Sequence, residues 1–154
     1  MSSTILVPVN GDWPDEKAVE LACSFAKISK GKVIVLYVIE MSRNLPVDAE
    51  VNEATARGEE ILKTIEELTH DQPCEIEAEL LQARQVGPAV VQEAAEREAD
   101  AIVLASQYKM KFGSFSLGEA VPYILKNAPC KVFLWRGAMS QTDNGDKHKS
   151  TTTE

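Results

Sequence analysis

The sequence predicts an α/β domain: an open parallel sheet in three layers, with helices on both faces. Three observations carry that prediction. Short apolar runs that end at turn residues alternate with longer stretches in which apolar residues recur at helical spacing. One of the runs, Val33 to Ile39, is almost wholly apolar and dense in β-branched residues, so both of its faces need cover, as in a central strand of a parallel sheet. Strands that alternate with helices are joined by right-handed crossovers, which put helices on both sides of the sheet. The 154 residues, 44% of them hydrophobic, suffice for one such core.

Ile5, Leu6, Val7 and Val9 form the first strand, closed by the turn signal Asn10-Gly11-Asp12. Ala18, Leu21, Ala22, Phe25 and Ala26 then recur at helical spacing, with Asp15 and Glu16 in the first turn and Gly31 just past the end. Val33 to Ile39 is the second strand. A polar connection from Arg43 to Asp48 leads into an amphipathic helix with Val51, Ala54, Ile61, Leu62, Ile65 and Leu68 on one face, which Gly58 weakens without breaking. Glu75 to Leu80 alternates polar and apolar, the pattern of an edge strand with one wet face. Gly87-Pro88 opens a third helix whose Val90, Val91, Ala94 and Ala95 face inward. Ala101 to Ala105 is the fourth strand and Ser106 to Leu117 a long loop. Gly118 to Asn127 is a helix with Val121, Ile124 and Leu125 inward, and Val132 to Trp135 is the fifth strand. The expected domain is 1–137, followed by a disordered tail over 138–154, which is polar and has no period.

Composition excludes several functions. A net charge of −8 argues against a nucleic-acid surface, because neutralising phosphates needs clustered Lys and Arg. The apolar stretch Ile5 to Val9 falls far short of the roughly 20 residues of a spanning helix, and no signal peptide is evident. A cytoplasmic protein with no direct membrane insertion is expected. Cys23, Cys74 and Cys130 are odd in number and widely spaced, which suits neither a disulfide framework nor a zinc site; they are expected to be reduced structural thiols. No metal site is expected.

Open parallel sheets bind ligands at the carboxyl ends of their strands, so the loops after the first, second and fourth strands matter most. No Gly-x-x-x-x-Gly-Lys-Ser/Thr loop and no Gly-x-Gly-x-x-Gly follows a strand, which sets aside kinase, GTPase and dehydrogenase chemistry. Ser114-Phe115-Ser116-Leu117-Gly118 approaches a nucleophile elbow but has Ser114 where the first Gly belongs. Its base is also missing. His70 precedes the third strand, at the opposite end of the sheet from Ser116, and His148 lies in the tail. No catalytic residue is assigned and no enzyme is expected. Lys109 and Lys111 are the charges of the Ser106 to Leu117 loop, a small positive island in an acidic chain. With a helix opening at Gly118, the lysines and helix amides suit an anion such as phosphate.

These residues resemble a known family. Ile5-Leu6-Val7-Pro8-Val9-Asn10-Gly11 is similar to the opening strand of universal stress proteins, where an Asp-Gly pair usually follows. The closing segment resembles them more specifically. Gly118-Glu119-Ala120-Val121 and Asn127-Ala128-Pro129-Cys130-Lys131-Val132 are similar to the family's Gly-Ser-Val helix start and its Ala-Pro-Cys-Pro-Val approach to the last strand. Gly87-Pro88-Ala89 and Asp100-Ala101-Ile102-Val103-Leu104 also fit, so the likeness covers about residues 4 to 136.

The resemblance implies a fold like that of the adenine-nucleotide alpha-hydrolases, with strand order 3-2-1-4-5. It also implies an adenine-nucleotide site between strands one and four, at Pro8, Val9, Asn10, Gly11, Val38, Ala105, Ser106, Lys109, Gly118, Glu119 and Ala120. Many members hold ATP through a Gly-x-x-Gly, nine residues, then Gly-Ser/Thr. Here Ser106 and Lys109 are matched to the two early glycines, with eight residues in place of nine before the retained Gly118, and Glu119 replaces the hydroxyl beside it. Asn10 stands where an Asp commonly meets the ribose. A carboxylate about 5 Å from one phosphate charge costs on the order of 3 kcal/mol at an effective dielectric near 20, so Glu119 disfavours ATP more than AMP or cyclic AMP. Magnesium is expected only with a triphosphate. The resemblance further implies a homodimer paired through Val132, Phe133, Leu134 and Trp135, and a role in stress response or signalling. The alternative it offers is an interaction module without a nucleotide, such as a soluble regulator of a membrane transporter. An adenylating or ATP-cleaving enzyme of related fold is disfavoured, because Asp12 and Asp15 stand where its phosphate loop would be. Trp13, in the first loop, is placed to cap a ligand.

Overall fold

The computed structural model describes residues 3–111 and 114–139. Almost all of the proposed tail therefore lies outside the described residues. The chain runs β1 (Thr4–Val9), α1 (Pro14–Ser29), β2 (Lys32–Glu40), α2 (Asn52–Thr69), β3 (Glu75–Ala83), α3 (Val86–Glu96), β4 (Ala101–Ser106), β5 (Lys109–Lys111), β6 (Ser114–Ser116), α4 (Ala120–Asn127) and β7 (Lys131–Arg136). Five strands form a parallel sheet in the order β3-β2-β1-β4-β7, the 3-2-1-4-5 order expected of the main strands.

Strand alternation sorts the core into two halves. Ile5, Val7, Val9, Val33, Val35 and Val103 face α1 and α2, where Ala18, Val19, Ala22, Ala26, Leu62 and Ile65 cover them. Leu6, Ile34, Leu36, Val38, Ile102 and Leu104 face α3 and α4, against Val90, Ala94 and Ile124. Both faces of the central strands are thus buried, as the unbroken apolar runs require.

The edges differ from the centre. β3 carries Glu77 and Glu79 on one face, and Arg97, just past α3, bonds Glu77 at 3.0 Å, Glu79 at 2.7 Å and Glu93 at 3.0 Å. That hydrogen bonding from Arg97 holds the Glu77 carboxyl below its usual range. β7, at the other edge, sets Phe133 on Phe25 of α1 and Trp135 on Trp13, with ring centroids 4.7 and 5.5 Å apart.

Three expectations need correction. The stretch Ser106 to Leu117 is not a simple loop: β5 and β6 pair antiparallel, Lys109 opposite Ser116 and Lys111 opposite Ser114. The last helix starts at Ala120 rather than Gly118, because Gly118 adopts a left-handed φ of +73° that no helical residue shares. Cys23 and Cys74 are joined in a disulfide, with Cα atoms 5.8 Å apart, and only Cys130 is free. The fold brings together two thiols that sequence spacing kept apart.

Gly58 is tolerated inside α2 for a packing reason. A Cβ there would come within 2.6 Å of Leu80 Cδ1 and 2.7 Å of Tyr37 Cδ2, so the bare backbone lets α2 lie close on β2 and β3. Alanine is ordinarily the better helix former by about 1 kcal/mol. Here we expect Gly58→Ala to lose about 1–3 kcal/mol in urea unfolding through overpacking. A gain in stability would show that the contact is loose.

Candidate nucleotide cleft

The order in which strands are added reverses between the parallel strands β1 and β4, and a cleft of about 250 Å3 opens there at their carboxyl ends. Of the residues picked out in the sequence, Asn10, Ala105, Ser106, Lys109, Gly118, Glu119 and Ala120 line it. Pro8, Val9, Gly11 and Val38 do not. Val9 and Val38 are buried in opposite halves of the core, and Gly11 faces a neighbouring groove with Trp13, Arg57 and Ile61. Gly118, Glu119 and Ala120 also border a second groove of about 540 Å3 toward Gly87 and Tyr123.

The first loop is tied by its own side chains. α1 has no side-chain cap at its first turn, and Asp15, its second residue, reaches back instead. Its carboxyl accepts the amide of Asn10 at 3.2 Å and that of Gly11 at 2.7 Å, while Asn10 Oδ1 accepts the amide of Asp12 at 3.0 Å. Gly11 supports this turn with a φ of +97°. Loop amides that could have met a phosphate are therefore already bonded to a carboxyl group.

Asp15 is 5% exposed, and burial, only partly offset by the Gly11 and Asn10 amides, pushes its pKa up to about 7. Sequence reasoning treated Asp15 as one more repulsive charge. Its position in the first turn was visible, but its backward reach was not.

The β4 side is different. Lys109 is exposed at the start of the hairpin, and the first turn of α4 offers the amides of Ala120 and Val121, Pro122 having none. Gly118 is not available in the way expected, because its amide donates to Ser116 Oγ at 3.2 Å. The lining further includes Asp12, Pro14, Gln107, Leu117 and Val121, none of which was singled out in the sequence as part of a binding site. Among the described lining residues, Asp12, Asp15 and Glu119 share the cleft with one lysine, Lys109, so it suits a ligand with little negative charge.

Comparison with known proteins now decides the family. The model of the universal stress protein family matches residues 1–136. The chain belongs to the universal stress protein family. Among its relatives, universal stress protein MJ0531 of Methanocaldococcus jannaschii is 26% identical over 136 residues, covering 84% of this chain and 79% of that one. A universal stress protein from Archaeoglobus fulgidus matches with a TM-score of 0.74 at 20% identity, covering 87% of this chain and 98% of that one. The Archaeoglobus fulgidus protein in complex with dAMP matches at 0.68 and 20% identity, covering 86% and 96%. A universal stress protein in complex with cAMP matches at 0.68 and 18%, covering 88% and 97%.

Within this universal stress protein fold the raised Asp15 pKa has a consequence for stability. Between pH 3.8 and about 7 the folded chain holds a proton that the unfolded chain has released, so stability falls as pH rises through that window. Asp15→Asn keeps an acceptor for Gly11 but removes the titration. Urea unfolding of both proteins should show the variant gaining on the wild type between pH 5 and pH 8, by on the order of 3 kcal/mol. An equal difference at both pH values would mean that Asp15 is ionised throughout.

Proposed function

We propose that this universal stress protein is a regulatory module that binds an adenine nucleotide of low charge, AMP or cyclic AMP in preference to ATP, at the β1/β4 cleft. It acts by binding, in stress response or signalling, rather than by catalysis. The observation that carries this reading is that one cleft brings Lys109 and the first-turn amides of α4 together with three acidic side chains, Asp12, Asp15 and Glu119. One phosphate can sit toward Lys109 and Ala120 with the nucleoside toward Asn10 and Ala105. Added phosphates would run toward Glu119, and magnesium would enter only with them. The dAMP and cAMP complexes of its structural neighbours support the ligand class.

One observation favours a second reading. The amides of Asn10, Gly11 and Gly118 are bonded within the protein, as they would be in a module whose cleft is closed to nucleotides and whose function lies in a protein partner such as a membrane transporter. No helix among the described residues is long and apolar enough to cross a membrane, so such a partner would supply the membrane part.

Calorimetric titration of the nucleotide-stripped protein with ATP, ADP, AMP and cyclic AMP, with and without magnesium, separates the readings. We expect AMP or cyclic AMP to bind roughly 100-fold more tightly than ATP, the equivalent of about 3 kcal/mol. Glu119→Ser should narrow that gap. Heat absent for every nucleotide in the wild type, with ATP binding recovered in Glu119→Ser, would favour the partner reading.

The module is further proposed to be a homodimer joined antiparallel through β7, whose outer edge has no strand beside it among the described residues and whose Phe133 is 38% exposed. In sedimentation equilibrium the wild type should have twice the chain mass and Phe133→Glu the mass of one chain. A monomeric wild type at high concentration would remove the dimer.

A further inference from the structure

Cys23 lies in the middle of α1, and Cys74 lies in the turn between α2 and β3. The fold holds them in a disulfide that spans 51 residues of sequence. The two sulfurs differ in access. Cys23 is 1% exposed, inside the core half formed by Val19, Ala22, Val33 and Ile65. Cys74 is half-buried and lines an open groove of about 610 Å3 with Lys63, Glu66, His70 and Ile76. A soluble oxidant or thiol arriving from solvent therefore meets Cys74 and not Cys23. Cys130 is half-buried too, but it is the free cysteine among the described residues, and burial raises its pKa above the usual thiol range.

We propose that Cys74 is an oxidation site for hydroperoxides, with Cys23 as its resolving thiol, and that the bridge they form is a reversible staple between α1 and the start of β3. In the reduced protein the Cys74 thiol loses its proton, and the thiolate attacks one oxygen of hydrogen peroxide. The O–O bond breaks, leaving Cys74 as a sulfenic acid and a hydroxide that takes up the released proton as water. The Cys23 sulfur then attacks the sulfenic sulfur, the S–O bond breaks, and the Cys23 proton leaves with the oxygen as a second water. Two thiols are oxidised to one disulfide and one peroxide is reduced to two waters.

Contact between the sulfurs makes the second step intramolecular, which protects Cys74 from further oxidation. Reversal takes a dithiol. Its thiolate attacks Cys74 from the groove, displaces Cys23, and closes on itself to release Cys74, so that the reductant ends as a cyclic disulfide. Closing a loop of this length restricts the unfolded chain, so the oxidised protein should melt roughly 10 °C above the reduced one. The inference is independent of the nucleotide reading, because neither cysteine lines the cleft.

The test uses the full chain, reduced, desalted and treated with hydrogen peroxide near stoichiometry. We expect the monomer mass to fall by two hydrogens, two of the three thiols to disappear, and peptide mapping to join Cys23 to Cys74. Treated with peroxide and dimedone, Cys23→Ser should carry the adduct on Cys74 and leave Cys130 unlabelled. Where Cys23→Ser does not fold, Cys23→Ala serves, and the wild-type peptide map decides in either case. Three thiols persisting after peroxide, a bridge through Cys130, or dimedone on Cys130 in place of Cys74 would overturn the proposal.

Discussion

Three neighbouring strands, β2, β1 and β4, are apolar on both faces, and the rest of the molecule answers to that constraint. Leu6, Ile34 and Ile102 point one way and Val7, Val33 and Val103 the other, all fully buried. Fully burying such a side chain stabilises the fold by about 1.5–3 kcal/mol, so the sheet gains most when both faces are covered. Two helices must therefore lie on each side, and right-handed crossovers leave little choice of how the chain gets there. From β1 the chain builds outward to β2 and β3, then returns to β4 and β7 on the other flank. That reversal opens the cleft. The cleft is a by-product of covering a two-sided core, furnished by whichever residues end β1 and β4.

What this chain puts there sets it apart. A buried carboxyl, Asp15, bonds the first-loop amides that a phosphate would otherwise reach, and Glu119 stands at the mouth of α4. Lys109, on the hairpin between β4 and α4, is the cation that faces them. Coulomb repulsion grows with each phosphate added, whereas contacts to a nucleoside do not, which is why the proposed ligand is a nucleotide of low charge. Trp13, in the first loop, meets Trp135 of the outer strand β7 edge to face, so that loop and the proposed dimer edge share one aromatic contact.

Much of this was legible in the sequence because it rests on short-range pattern. Val33 to Ile39 could only be a covered strand, and the alternating Glu75 to Leu80 an edge. The family likeness alone sets Ser106, Lys109, Gly118 and Glu119 along one cleft, and all four line it. What escaped notice depends on contacts between distant residues or on runs too short to have a period. β5 and β6 hold three residues each, below the length at which alternation can be distinguished from chance. Cys23 and Cys74 meet only because α2 packs beside α1 and the turn that follows it comes against Cys23. Gly58 looked like a weakness in a helix and is a point of close approach to Tyr37 and Leu80. Asp15 looked like a first-turn acid serving the helix dipole, and nothing in its neighbours announced that it turns back to the loop.

The central claim, that the β1/β4 cleft receives a nucleotide of low charge, is tested most directly by following backbone amide resonances of the labelled protein as AMP is added. The account predicts saturable shifts at Asn10, Ser106, Gly118, Glu119 and Ala120, with β3 and the groove around Lys63 and His70 unmoved. Shifts confined to that distant groove, or none at millimolar AMP, would contradict it.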